Sequence, residues 1–147
     1  MHTEPSTFTT INAYLTWDFG RLDETLKDII AGKHVERAFG HYDRGMRRHM
    51  RIEEDILLQL YAFDRTGASK ASTQAIQSEH AEIIRHLDVM RAALASQDMA
   101  ALKASAESLH AFLTGRHARQ QEMLYPLVDS LLGANEAAKL IARLRAS

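Results

Sequence analysis

The chain has 147 residues, of which 46% are hydrophobic and 25% charged, and its formal net charge is −1. These values are typical of one globular domain, and they give no reason to expect nucleic acid or an anionic membrane as a partner. Cysteine is absent, which excludes disulfides, thiolate metal sites and a cysteine nucleophile and is typical of a cytoplasmic protein. We expect no secretory signal and no membrane span, because the chain begins without a basic and apolar leader and lacks an apolar run of roughly 20 residues.

Long helices are expected, because only 2 prolines and 7 glycines interrupt the chain and its apolar residues recur in steps of three and four. In chain order, the predicted helices cover residues 8–31, 34–64, 72–95 and 99 to about 126. Gly32 is expected to end the first helix, and Asp98 to cap the fourth. Residues 64–67 predict a turn. Pro126 predicts a kink or a restart of the fourth helix, because its ring clashes with the preceding turn.

Four amphipathic helices with short connections predict an all-α fold, an antiparallel up-down-up-down four-helix bundle. We expect residues 1–7 to form a tail, residues 8–132 the bundle, and residues 133–147 a short C-terminal helix. The alternative architecture is a pair of helical hairpins that completes its core by dimerising. Both a monomer and a homodimer therefore remain open.

Polar residues occupy positions where the periodicity predicts the core: His49 and Glu53 on the second helix, His80 on the third and His117 on the fourth. His49 and Glu53 are four residues apart, so an imidazole and a carboxylate lie side by side on one helix face. A small bundle does not bury an ionised carboxylate without a partner, because the lost hydration costs several kcal/mol. A divalent cation would satisfy Glu53 and the neutral imidazoles together. An arginine from a neighbouring helix would satisfy Glu53 alone.

Other charged patterns in the chain are less informative. Glu122, five residues after His117, lies off the inward stripe, but its side chain is long enough to point inward. Glu107 and His110 have the Glu-x-x-His spacing of ferritin-like proteins, but no second such pair lies on an inward stripe. Four arginines between residues 44 and 51 predict a solvated face, since no aromatic residues interleave with them.

Three segments together resemble the motifs of hemerythrin-like (HHE cation-binding) domains: HMRIEED from His49, SEHAEI around His80 and HARQQEMLYP from His117. Residues 15–23 resemble the opening segment of that family, and the resemblance covers about residues 10–128. It implies a four-helix bundle that holds two non-haem irons through histidines and two bridging carboxylates. The implied metal ligands in this chain are His49, Glu53, His80, His117 and Glu122.

Three positions depart from the family pattern. Phe19 stands where the first helix of the family has a histidine, Gln121 where many members have a carboxylate, and Ile84 where hemerythrins proper have a second histidine. A phenyl ring cannot bind a metal, and glutamine offers only a neutral oxygen. We therefore expect the remaining ligands to hold two irons poorly and to suit one ion, iron or alternatively zinc. Complete loss of metal is the other alternative, with Glu53 then protonated or paired with an arginine.

The resemblance implies a role in oxygen or nitric-oxide sensing or in iron handling, with a metal ion and a small diatomic ligand as partners. Fast reversible dioxygen binding is not expected from a depleted ligand set. A metal-free bundle that acts as an interaction or scaffold module is the alternative. Peroxide chemistry at the iron is a third hypothesis. The sequence shows no second acid–base pair and no substrate pocket, so we expect a binding domain rather than an enzyme.

Overall fold

The computed structural model describes residues 8, 10–63, 68–120, 122 and 125–146, with the backbone alone described for residues 57–63, 68–73, 127 and 131. Within these ranges the chain forms five helices: α1 Ile11–Ile30, α2 Val35–Phe63, α3 Ala68–Ala95, α4 Met99–Arg119 and α5 Tyr125–Ala146. Helices α1 to α4 each pack against the next, and α4 packs against α1 to close the ring, while α5 packs against α1 and α2. This is the predicted antiparallel bundle with an additional C-terminal helix, and one chain closes its four-helix ring without a second copy. None of the described helices is both long and apolar enough to cross a membrane.

The N-terminus of α1 is capped from two directions. The Thr10 hydroxyl accepts a hydrogen bond from the Ala13 amide at 3.0 Å. Asp129 of α5 accepts from the amides of Ile11 at 2.7 Å and Asn12 at 3.3 Å. These contacts satisfy amides that have no partner within the helix, and they fix α5 to the start of α1.

Most of the predicted helix ends are confirmed. Gly32 follows α1 with a φ of +74°, the left-handed conformation that glycine adopts readily. Asp98 caps α4 by accepting from the Ala101 amide at 3.0 Å. Helix α3 begins at Ala68 rather than at residue 72, because residues 68–71 include good helix formers that extend the helix ahead of its apolar stripe. The predicted turn at residues 64–67 lies outside the described residues.

Two positions mark the end of the bundle. Helix α5 begins at Tyr125, so Pro126 is its second residue, a first-turn position that proline tolerates. The form of the junction between α4 and α5 depends on residues 121, 123 and 124, which lie outside the described residues. Gly133 has φ 76° and ψ 167°, which interrupts α5 where the short C-terminal helix was predicted to begin.

The core consists of two apolar clusters at opposite ends of the bundle, separated by a layer of polar side chains. One cluster joins α5 to the start of α1, the end of α2 and the start of α3. The other joins the remaining halves of α1 to α3 to most of α4. Along α1, Asp18 lies between Leu15 of the first cluster and Leu22 of the second. Asp18 therefore has apolar core residues on both sides along its helix.

Candidate metal centre

The polar layer is buried as completely as the apolar core around it. Its members have exposed fractions of 0 to 5%: Asp18, His49, Glu53, His80, Arg116 and Gln120. Each of the four bundle helices contributes at least one of them. The sequence predicted His49, Glu53 and His80 in the core, and the structure confirms that these three are buried together.

The His49 imidazole lies between two carboxylates. Its Nδ1 is 2.7 Å from Asp18 Oδ2, and Asp18 is itself held by Arg21 Nη2 at 2.8 Å. Its Nε2 is 2.8 Å from Glu53 Oε1, but the two atoms do not meet in hydrogen-bond geometry. Both are therefore buried without a hydrogen-bond partner among the described residues. Native proteins rarely leave such atoms unpaired, and an unpaired buried polar atom is a feature of ligand sites.

The His80 imidazole is oriented in the same way. Its Nδ1 is 3.0 Å from Glu54 Oε1, and its Nε2 is 3.5 Å from Glu53 Oε2. On both His49 and His80 a carboxylate therefore holds Nδ1 while Nε2 points towards Glu53. Metal-binding histidines are commonly fixed in this manner, because the outer carboxylate sets the tautomer and the orientation of the ring.

A guanidinium also reaches Glu53. Arg116 Nη2 is 2.5 Å from Glu53 Oε2 and 3.2 Å from His80 Nε2, while Arg116 Nε is 2.8 Å from Glu79 Oε2. Arginine only donates hydrogen bonds, so His80 Nε2 is the acceptor in its contact with Arg116. Glu53 is thus paired with an arginine from another helix, α4, which lies diagonally across the bundle from α2; an arginine was the alternative partner that the sequence left open.

The charges of this layer balance without a metal ion. Burial alone would lower the pKa of His49, but its contacts with Asp18 and Glu53 outweigh burial and raise that pKa to about 9. Burial alone would raise the pKa of Glu53, but the Arg116 charge and the contacts with both histidines hold it well below its usual range. The pKa of Asp18 is lowered too, since His49 and Arg21 outweigh its burial. Two carboxylates therefore face one imidazolium and one guanidinium.

His117 lies beside this layer rather than inside it. Its ring stacks on Phe19 with centroids 3.9 Å apart and planes 5° apart, so Phe19 packs against the predicted ligand. Burial and the positive charges of His49 and Arg116 lower the pKa of His117. A lowered pKa keeps the imidazole neutral at neutral pH, as metal binding requires.

The other sequence-derived positions contribute less. Glu122 is exposed, and it forms no contact with His49 or Glu53 within the described part of the chain. Ile84 is 37% exposed on the outer face of α3. Gln121 lies outside the described residues.

Three buried residues of the layer, Asp18, Arg116 and Gln120, were not predicted. The inward stripes chosen from the sequence pass through Phe19 and His117, which are half-buried, so each stripe is wrong by one residue at this level. On α1 and α4, the buried positions recur in steps of three and four residues, and these steps include charged side chains. On α1 and α4 the buried residues along these stripes are Ile11, Leu15, Asp18, Leu22, Leu26 and Ile29, and Leu102, Ala106, Leu109, Leu113 and Arg116. Strict continuation of the apolar steps was the signal that could have found them.

The layer offers two adjacent donor atoms for a cation rather than a complete set of metal ligands. Within the described ranges, no group of three or more His, Asp or Glu side chains has the geometry to hold a metal ion. However, His49 Nε2 and Glu53 Oε1, which face each other outside hydrogen-bond geometry, are 2.8 Å apart, close to the separation of about 3 Å between adjacent ligands of an octahedral ion with bonds of about 2.1 Å. The other oxygen of this carboxylate, Glu53 Oε2, is bound by Arg116.

Comparison with known families gives one match. The family model described as the hemerythrin HHE cation binding domain matches residues 5–128. This span includes helices α1 to α4 and every residue of the polar layer. Comparison with curated proteins and with solved structures found no match.

Proposed function

The chain belongs to the hemerythrin HHE cation-binding family, and we propose that its core binds a single divalent transition-metal ion, expected to be non-haem iron. The proposed ligands are His49 and Glu53, with His80 and His117 completing the set. One observation carries this proposal: His49 Nε2 and Glu53 Oε1 are buried, adjacent and without hydrogen-bond partners in the described chain. Imidazoles with one carboxylate are a donor set that suits Fe(II) and also Zn(II).

The residues around the proposed ligands orient them and shield them from water. Asp18 and Glu54 orient the two imidazoles through Nδ1, and the two apolar clusters limit access of water to the layer. A bound iron with few protein ligands would offer open positions to a small diatomic molecule. We therefore propose oxygen or nitric-oxide sensing, or iron handling, as the role of the domain. Glu122 is not required for a single ion.

Thermal unfolding under anaerobic conditions tests the proposal, because a ligand of the native state raises its stability. At an Fe(II) concentration 100 times the Kd, the gain is about 2.7 kcal/mol, or about 5–11 °C in Tm for a chain of this size. Glu53→Gln should abolish the gain relative to protein with chelator. His110→Gln is the matched control, because His110 lies on α4 but contacts Asp23 at 3.1 Å, away from Glu53. An equal gain in the Glu53→Gln variant would contradict the proposed site.

A metal-free bundle that serves as an interaction or scaffold module is the second candidate. The balance of charges between Asp18, Glu53, His49 and Arg116 favours it, since those side chains neutralise one another without an ion. In that case Fe(II) and Zn(II) would leave the Tm of the wild-type protein unchanged.

A further inference from the structure

We propose that Arg116 is an internal cation that takes the place of one metal ion at Glu53 and competes with the remaining ion for the ligands of the site. The competition rests on the proposed metal binding. The position of the guanidinium at Glu53 does not depend on metal binding, because it is given by the contacts of Arg116.

Arg116 contacts two candidate metal ligands with one nitrogen. Its Nη2 lies 2.5 Å from Glu53 Oε2 and 3.2 Å from His80 Nε2. Both are the atoms that a cation between Glu53 and His80 would bind, and Arg116 is only 2% exposed. Since arginine stays protonated in proteins, this positive charge is permanent. His80 therefore becomes available to a metal only after the guanidinium withdraws.

A second carboxylate allows the guanidinium to withdraw without losing every partner. Arg116 Nε contacts Glu79 Oε2 at 2.8 Å, so Glu79 binds a different nitrogen of the guanidinium from Glu53. Glu79 is more accessible than Glu53, with 19% of its side chain exposed, and Arg119 contacts its other oxygen at 3.2 Å. Glu79 can therefore keep Arg116 paired while Glu53 and His80 bind a metal. This makes Arg116 a competitor rather than a permanent block.

The proposal requires opposite effects on two properties when Arg116 is neutralised. Metal-free protein should become less stable, because Glu53 loses the positive charge that compensates it in the core. Metal affinity should increase, because Glu53 and His80 are released for binding. A residue that only supports the fold would not produce the second effect.

Titration of the chelator-treated full chain with Co(II), followed by visible absorption, measures the affinity. For Arg116→Gln we expect binding at least tenfold tighter than in the wild type, together with a lower Tm in chelator. Arg119→Gln is the matched control: it lies on the same helix and contacts the same Glu79, but it is exposed and does not touch Glu53. Its affinity should stay within twofold of the wild type. Equal or weaker Co(II) binding by Arg116→Gln would overturn the proposal.

Failure of the two proposals can be distinguished in the same titration. If the wild type binds Co(II) and Arg116→Gln binds no tighter, the competition is wrong and the metal site stands. If only Arg116→Gln binds, the proposed metal function of the natural chain is wrong and the inference about Arg116 stands. If neither binds, both are wrong.

A second variant keeps the proposal testable if Arg116→Gln does not fold. Glu79→Gln removes the partner to which the displaced guanidinium would turn, while leaving Glu53 and Arg116 in contact. We expect it to bind Co(II) at least threefold more weakly than the wild type. Unchanged or tighter binding would contradict the role assigned to Glu79 and the competition with it.

Discussion

Replacing Arg116 by methionine in metal-free protein removes the guanidinium that neutralises a fully enclosed carboxylate. The side chains of Arg116 and Glu53 are 2% and 1% exposed, and their charged atoms are 2.5 Å apart. Breaking a buried ion pair from one side costs about 3–5 kcal/mol, because the other charge stays buried without compensation. For a chain of this length about 1 kcal/mol shifts the Tm by about 2–4 °C, so the expected loss is about 6–20 °C.

Urea unfolding in the presence of chelator measures this loss directly, with Arg119→Met as the control. Arg119 pairs with Glu79 at the surface, so its replacement should change the free energy of unfolding by less than about 0.5 kcal/mol. In the double variant Arg116→Met with Glu53→Gln, both buried charges are gone. At least half of the lost stability should therefore return. A loss below about 1 kcal/mol for Arg116→Met, or no recovery in the double variant, would refute the charge balance described for the polar layer.

Three further changes have defined outcomes. The folded-state pKa of His49, about 9, lies above the pKa of roughly 6.5 of an unfolded histidine. Protonated His49 therefore contributes fully to the free energy of unfolding below pH ~6.5, and this contribution is lost as the pH rises through about 9. Urea unfolding of metal-free protein between pH 7 and 9.5 should show this loss, and His49→Gln should flatten the dependence. Gly45→Ala should lower the free energy of unfolding by about 1–2 kcal/mol, because its Cβ would lie 2.5 Å from Cδ2 of the buried Leu22. Gly115→Ala should raise the free energy of unfolding by about 0.5–1 kcal/mol, because its Cβ would make only an ordinary contact of 3.7 Å with Arg119 Nη1. Phe19→His should raise the iron retained at limiting Fe(II), measured by elemental analysis, and unchanged retention would mean that the family's first-helix histidine does not correspond to Phe19.

The buried positions of α2 and α3 could be predicted because their polar members continue an otherwise apolar pattern. His49 and Glu53 are one turn apart on α2, and His80 follows Ile76 on α3 at the spacing of the core. For such residues, helical periodicity alone indicates burial. The helix ends at Gly32 and Asp98 could be predicted for a similar reason, since the backbone conformation at a cap depends on local residue type.

Helical periodicity also passes through Asp18 and Arg116, but it cannot distinguish a buried charge from a solvated one. A charged residue on a helix is usually solvated, and its burial depends on partners from other helices. The partners of Arg116 come from α2 and α3, and Asp18 is buried against His49 of α2. Only the packed bundle brings these groups together, so the same sequence pattern is compatible with an exposed Arg116 and a metal at Glu53.

The iron content of the chain, measured by elemental analysis after anaerobic loading with Fe(II) and removal of excess metal, tests the single-ion site most directly. We expect a ratio near one iron per chain in the wild type, falling in His117→Ala. A ratio near two would contradict the displacement of an ion by Arg116. A ratio near zero would contradict metal binding itself and leave the ion pairs of the polar layer as a metal-free core.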